Sequence, residues 1–573
     1  MTSAAAGSTM VALMPIASVF LFLVVWRWPA RVAMPLAYAV TVVIGALAWR
    51  LPLRTIAAST VQGSVIALNI LLIVFGALLL LSTLRECGAL GVIRRGFLNI
   101  TPDRRLQALI VGWLFGSFIE GVAGFGTPAA ITGPLMLALG FPAAAAAMIG
   151  LLANSTPVTF GAIGTTIVQG IRQGLASPEV DEYIFSHVPG GWESYIHAVV
   201  VKAALISAVA GLIIPLAMSM ALTRYFGARR SAREGLEIWR FALFSAAAMI
   251  VPYTIVAILL GPEFPAMVGG LIGLLIVTFA AKKGFLVPSR PFTFPPEAHW
   301  EKDWQGSMPA GGGEGGGDDT LGTPPERPRT AGISLLTAWA PYIAVTAILI
   351  ASRLPALGLK QKLLSMALEW RQIFGTPFSA SFDTFYSAGF LFILVAMGTA
   401  LFFGMSGQSV ARAWSVAGKQ VWATAPALIF TVALVRVFIN SGTMDSGGGL
   451  ESMPLTLASG MAALTGGAWP LFAPLIGALG AFIAGSATVS NMMFSLFQWS
   501  VAGRIGVATE TVVAAQATGA AAGNMVAVHN VVAAAAVVGL IGAEGSLIRK
   551  TLLPMLVYVL LLGALVYLWI YDL

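Results

Sequence analysis

The chain has 573 residues, 58% of them hydrophobic and only 10% charged, with a mean hydropathy of +0.88. Soluble domains carry roughly 25% charged residues, so a water-facing surface is excluded over most of the molecule and its solvent must be lipid. The net charge of +8 forms no basic stripe with interleaved aromatics, which excludes a nucleic-acid surface, and the one cysteine, Cys87, excludes an intrachain disulfide and a cysteine-built metal site.

Residues 1–10 have no basic stretch, so the first apolar run reads as a membrane helix and not as a cleaved leader. Runs of membrane-spanning character predict helices at about 10–26, 32–49, 61–82, 106–119, 129–153, 195–223 and 241–260, then 265–281, 333–352, 386–404, 422–440, 453–480, 511–540 and 552–571. The fold class expected is therefore an all-α polytopic membrane protein of about 12–14 transmembrane helices, several of them short or broken. The basic loops 85–105 (Arg85, Arg94, Arg95, Arg104, Arg105), 224–240 (Arg224, Arg229, Arg230, Arg233, Arg240) and 282–290 (Lys282, Lys283, Arg290) are expected in the cytoplasm. The acidic stretch 177–194 suits the outside, and counting spans from these loops puts both termini outside, in a bacterial inner membrane. Residues 284–331, with the glycine-rich run Gly311 to Gly317 followed by Asp318 and Asp319, read as a flexible cytoplasmic linker between an N-terminal membrane half, 1–283, and a C-terminal half, 332–573.

Four stretches depart from ordinary membrane-helix composition: FIEGVAGFGTPAA at 118–130, LLANSTPVTFGAIGTT at 151–166, GSATVSNMMFSLFQ at 485–498 and AAGNMVAVHNVVAAAA at 521–536. Two fall in each half, each pair about 35 residues apart, the pattern of inverted halves with a binding site between broken helices. A glycine break is tolerated at membrane depth only where the freed backbone meets protein or water. Broken helices present N-termini with free N–H groups, where a carboxylate docks without a buried cation. The candidate binding residues are Gly121, Gly124, Gly126 and Thr127 from the first stretch and Asn154, Ser155 and Thr156 from the second. Ser486, Thr488, Ser490 and Asn491 come from the third, Asn524 and Asn530 from the fourth.

Glu120 is the sole charge between Leu106 and Leu139. Intramembrane carboxylates usually face a cavity or a partner, and desolvation penalises the charged form, the property a proton carrier needs. The structural alternative is that Glu120 caps the following loop through glycine amides. His529, beside Asn524 and Asn530, is either a proton relay or a histidine held by a backbone carbonyl between packed helices. Arg436 either meets a substrate carboxylate, pairs with Glu120 or Asp445, or snorkels to the interface; His197 and Lys202 read as interfacial. Met492, Met493, Phe494 and Phe497 read mainly as core, with an apolar wall for a substrate methyl as the alternative. Gly124-Phe125-Gly126 follows no strand and precedes no Walker lysine, and the four histidines have no metal-ligand spacing, so no cofactor or metal is expected. No nucleophile–base pair points to an enzyme.

FIEGVAGFGTPAA resembles the motif of the L-lactate permease family, and GSATVSNMMFSLFQ and AAGNMVAVHNVV resemble that family's downstream blocks. The resemblance extends over nearly the whole chain apart from the linker. It implies import of L-lactate, D-lactate and glycolate with protons as the coupling ion. It also implies membership of a wider ion-transporter superfamily of inverted repeats with re-entrant hairpins and elevator-like movement. Asn154-Ser155-Thr156 and Ser490-Asn491 look like that superfamily's Ser-Asn-Thr hairpin tips. The first has a different order and the second continues with Met492, departures that weaken a sodium site. A 2-hydroxy acid would need a nest for its carboxylate, a hydrogen-bonding group for its hydroxyl and an apolar wall for its methyl, and the four stretches supply all three. The expected partners are this small monocarboxylate, the lipid bilayer and, as an option, a second copy in a homodimer. A cation/proton antiporter, a dicarboxylate carrier and a channel are the alternatives.

Overall fold

The computed structural model describes residues 3–26, 28–97, 100–124, 127–306, 333–353, 357–442, 451–540 and 543–572. Gly126, the run 311–317 with Asp318 and Asp319, and Asp445 lie outside them. Among the described residues eleven helices are long and apolar enough to cross a membrane, or up to twelve if the bent pair Ala143–Ala153 and Thr156–Gly174 counts as one span. The expected twelve to fourteen came from also counting short helices such as Ala388–Phe402.

Several helices differ from their predicted bounds. The run 129–153 is two helices, Thr127–Ala138 and Ala143–Ala153, parted where Gly140 takes φ +84° ahead of Pro142. The run 422–440 is the end of a 33-residue helix, Gly407–Ile439. Ala487–Arg504 forms a helix of its own, which its polar content hid.

Packing groups the chain into two compact units, each drawing on both sequential halves: 1–10, 99–315 and 454–573 in one, 11–98 and 316–453 in the other. The first unit contains all four unusual stretches. Its helices approach backbone to backbone through glycine. A Cβ added at Gly270 would lie 2.5 Å from the Phe118 nitrogen, at Gly121 2.2 Å from the Met267 nitrogen, and at Gly519 2.0 Å from the Pro474 carbonyl oxygen. Small residues at such crossings let helices pack where lipid supplies no hydrophobic drive between them.

Residues 284–306, expected to be part of a flexible linker, are instead tied down in this unit. Asp103, fully buried, caps the Arg105 amide, pairs with the Arg105 guanidinium at 2.8 Å and accepts from the Phe292 amide at 3.0 Å. Trp304, 2% exposed, packs edge-on to Phe226 under the Arg230 guanidinium. The aromatic and proline content of 284–306 supplies the anchors that the glycine-rich run after it lacks. Lys202, expected at an interface, is half-buried in a 2.9 Å ion pair with Glu510, while His197 is exposed.

The second unit is built on the helix Leu53–Glu86. Gly63 meets the Ala433 backbone and Gly76 meets that of Gly389. A short hairpin, Leu368–Trp370 paired with Ala380–Phe382, was not foreseen; Asn69 donates to the Ser381 carbonyl at 2.8 Å and holds it to the long helix. Arg436, at 2% exposure, does not snorkel: it donates to Gln62 at 2.8 Å and Asn440 at 3.0 Å, and Asn440 donates on to Ser59. A buried guanidinium needs several acceptors, and amide side chains one and many turns away supply them.

Gly270→Val should lower stability by at least about 1–3 kcal/mol through overpacking. Gly503→Ala, at a glycine with nothing within 4 Å of an added Cβ, should leave the melting temperature in detergent unchanged.

Candidate functional site

The four unusual stretches break as expected, and their breaks meet inside the first unit. The first span, Arg104–Val122, ends at Ala123, and the chain resumes as a helix at Thr127. The second bends by 47° between Ala153 and Thr156. In the third, Gly485 takes φ +70° and ends the helix Trp469–Ala484; Ser486 caps the next one by accepting from the Val489 amide. Left-handed backbone of this kind is where glycine is cheapest. The fourth parts between Gly523 and Val528.

Small buried side chains join the breaks. Val158 of the second, Ala487 of the third and Ala521 of the fourth form one cluster with Ala481 and Ala520, which lie just before the third and fourth. Asn491 donates to the Thr166 carbonyl at 3.0 Å, a bond from the third stretch to the backbone of the second. Gly170 lies against Asn491 and Thr488, so a side chain there would push the second and third stretches apart. A relay of buried amides supports this contact: Trp469 donates to Gln498, Gln498 to Gln516 at 3.0 Å, Gln516 to Ser490 at 3.1 Å, and Ser490 to the Gly477 carbonyl. Gln498 and Gln516 were missed in the sequence because glutamine in an apolar helix signals nothing until its partners are known.

The first stretch meets the second around Glu120. The Glu120 residue is 4% exposed, and a Cβ added at Gly161 would lie 2.4 Å from its Oε1. Beyond Gly161 the chain turns through Ala162 (φ 48°), Ile163 (φ 54°) and Gly164 (φ 67°). Left-handed backbone costs a non-glycine residue roughly 1–2 kcal/mol, and such strain gathers at functional sites. The Thr165 hydroxyl bonds the Ala162 carbonyl and that of Thr166 the Thr159 carbonyl, so the strained turn keeps its backbone satisfied. The turn also seats Ala162 against Gly124, where an added Cβ would come within 2.6 Å.

Among the described residues, Glu120 Oε2, Asn154 Oδ1, Ser155 Oγ, Ser117 Oγ and Trp113 Nε1 are buried with no hydrogen-bond partner. Each such atom costs about 1–3 kcal/mol unless water or a ligand bonds it. The capping alternative for Glu120 leaves Oε2 unexplained. Other candidates are already engaged. The Thr156 hydroxyl shares a 3.1 Å bond with Tyr558, and its carbonyl accepts from Tyr253. Asn530 donates to Asn524 Oδ1 at 2.8 Å, which locks the fourth break. Gly121 is closed against Met267, and only the backbone of Thr127 is described. His529 is exposed, its β-carbon side facing Gly485, because its turn of helix faces outward, so it is not held between packed helices. Arg436 belongs to the second unit.

Broken spans that enclose an unpaired acid and a set of unpaired hydroxyl and amide oxygens are the architecture of a membrane carrier. A family model described as L-lactate permease matches residues 8–571, and the chain belongs to that family, a family of multi-pass membrane permeases. A putative L-lactate permease of Haemophilus influenzae is 29% identical, with 94% of each chain covered. The L-lactate permease of Escherichia coli K12 is 29% identical over 99% of this chain and 96% of its own length. Glycolate permease GlcA of the same strain is 28% identical over 97% and 94%. The YdaH transporter structure from Alcanivorax borkumensis aligns over 87% of this chain at 14% identity with a TM-score of 0.36, too distant to carry detail across.

Asn491→Leu removes the donor to the Thr166 carbonyl and an acceptor for Gln516. It should destabilise the protein by about 1–3 kcal/mol, read as a lower melting temperature in detergent. An unchanged melting temperature would mean that the two stretches are not joined there.

Proposed function

We propose that this chain imports L-lactate, with D-lactate and glycolate as further substrates, across the bacterial cytoplasmic membrane by proton symport. The substrate class is supported by the names of the relatives, L-lactate permease and glycolate permease. The observation that carries the mechanism is the buried carboxyl of Glu120, with Oε2 unpartnered, held between the first break and the strained turn at 161–164. A charged carboxylate in that position lacks compensation, and a proton relieves it.

In this reading the substrate lies beside Glu120. Its hydroxyl and carboxylate take up Asn154 Oδ1 and Ser155 Oγ, beside the helix starts at Thr156 and Ala487, whose positive dipole ends favour an anion. Ser490, Asn491, Thr156, Asn524 and Asn530 hold the breaks in place by the bonds they already make. Proton and anion together leave the site's net charge as it stood with the carboxyl ionised, so the proton offsets the charge that the anion would otherwise add to a buried site. The broken stretches are the moving part in an elevator-like cycle. No enzyme activity and no organic cofactor enter this reading.

Glu120→Gln keeps the shape of the side chain but cannot exchange a proton. It should cut pH-driven uptake of labelled L-lactate into proteoliposomes by about a hundredfold or more, with expression intact. Gly161→Ala, which displaces the carboxyl, should cut it by about tenfold to a hundredfold. Undiminished proton-driven uptake by the glutamine variant would remove Glu120 from the mechanism.

A further inference from the structure

We propose that one face of the span Arg104–Val122 lines a file of water that carries the coupling proton to and from Glu120, with Trp113 and Ser117 as its protein contacts. The inference rests on the reading of Glu120 given above.

Trp113 Nε1, Ser117 Oγ and Glu120 Oε2 are three of the ten buried side-chain atoms that lack a partner among the described residues. Trp113 and Ser117 are both 0% exposed. Allowing for the wider turn up to Phe115, positions 113, 117 and 120 fall within about 75° of one another and cover about 10 Å of the helix axis. Three orphaned polar groups on one stripe of a single helix are hard to reconcile with a dry interface, since buried polar groups are bonded to protein or to ordered water. The helices are not in closest contact beside Ser117: a methyl added at Gly116, which flanks the stripe, would make ordinary contact at 3.7 Å, and one at Gly150 across the interface at 3.5 Å, whereas one at Gly112 would clash with Ile149 at 2.4 Å. The nearby Thr132 hydroxyl donates to its own helix at Pro128 and so does not donate to the stripe. The wide helical turn Ala108–Phe115 places Trp113 within a π-helical segment, a form frequent at functional sites.

The surroundings contain little else that could take the proton. The elements packed on Gly116–Val122 are the helices Thr127–Ala138, Ala143–Ala153 and Pro265–Lys282, the turns 156–165 and the preceding turn Ala108–Phe115. Their only ionisable side chain is Lys282, in the last turn of its helix. The stripe runs from Glu120 toward the polar end of the span, where Arg104 donates to Gln107 and Arg105 pairs with Asp103. The two contacts have different roles. A serine hydroxyl both donates and accepts, so a proton arriving on its oxygen from one water is matched by one leaving to the next, and Ser117 ends unchanged. The indole N–H only donates, so Trp113 holds a water by its oxygen and orients the file.

The test separates proton delivery from substrate handling. Purified protein in liposomes is assayed for net uptake of labelled L-lactate driven by a pH gradient, and for lactate–lactate counterflow at equal pH, which needs no proton to enter or leave. Ser117→Ala and, as a second variant, Trp113→Phe should slow net uptake by at least about fivefold and enlarge its slowing in D2O, while counterflow stays within about twofold of the parent. Ser117→Thr, which restores a hydroxyl, should recover net uptake. If both modes fall together with a raised KM for lactate, Ser117 meets the substrate and the proposal is overturned; if net uptake is unchanged in both variants, no file passes this face. Failure of the Glu120 reading is recognised separately, by net uptake that Glu120→Gln does not impair.

Discussion

A helix that stops at membrane depth frees backbone groups that no lipid can bond, and this chain stops its helices there four times. That constraint organises the first unit. The break at 485–486 is closed by a left-handed glycine and a serine cap, the strained turn at 161–164 by threonine hydroxyls, and the Thr166 carbonyl by an asparagine from another stretch. The glycine crossings at Gly121, Gly270 and Gly519 follow from the same need, because side chains from one break reach the backbone of another only if the helices nearly touch. The amide relay through Gln498 and Gln516 holds that contact in one arrangement and leaves few polar groups uncommitted.

Five of the ten buried side-chain atoms without a partner among the described residues lie at the first and second breaks and on the span leading into the first. Glu120, Asn154 and Ser155 keep bare oxygens at the first and second breaks, beside a turn that holds two non-glycine residues in left-handed backbone. Strain and unpaired polarity both cost stability, and under the proposed function a bound ligand would offset that cost. Under the proposed function such a site would discriminate by its unmet hydrogen bonds: a small hydroxy acid would satisfy them, while a purely apolar solute would leave them empty.

Much of this could be read before any coordinates. Low charge density and long apolar runs specify a polytopic helical protein, because only lipid tolerates such a surface, and a lone glutamate in an apolar run stands out locally. The four breaks were visible because glycine, serine and asparagine are costly at membrane depth. What stayed hidden depends on contacts far apart in sequence. Nothing near Arg436 announces that Gln62, some 370 positions earlier, is its acceptor, and nothing near Asp103 announces that it pins Phe292. His529 stands beside two buried asparagines in sequence, yet the rotation of its helix turns it outward, a matter of one side of a turn that local pattern does not decide. Thr156 and Asn491 look like ligand groups by type and are spent on tyrosine and backbone partners instead.

The central claim is that a proton, taken up at a buried carboxyl, drives the anion through these breaks. Accumulation of labelled L-lactate in proteoliposomes, under proton and sodium gradients imposed separately, tests it most directly. An inward proton gradient alone should concentrate lactate above equilibrium, with no response to sodium. Accumulation that follows only the sodium gradient, or mere equilibration under both, would contradict it.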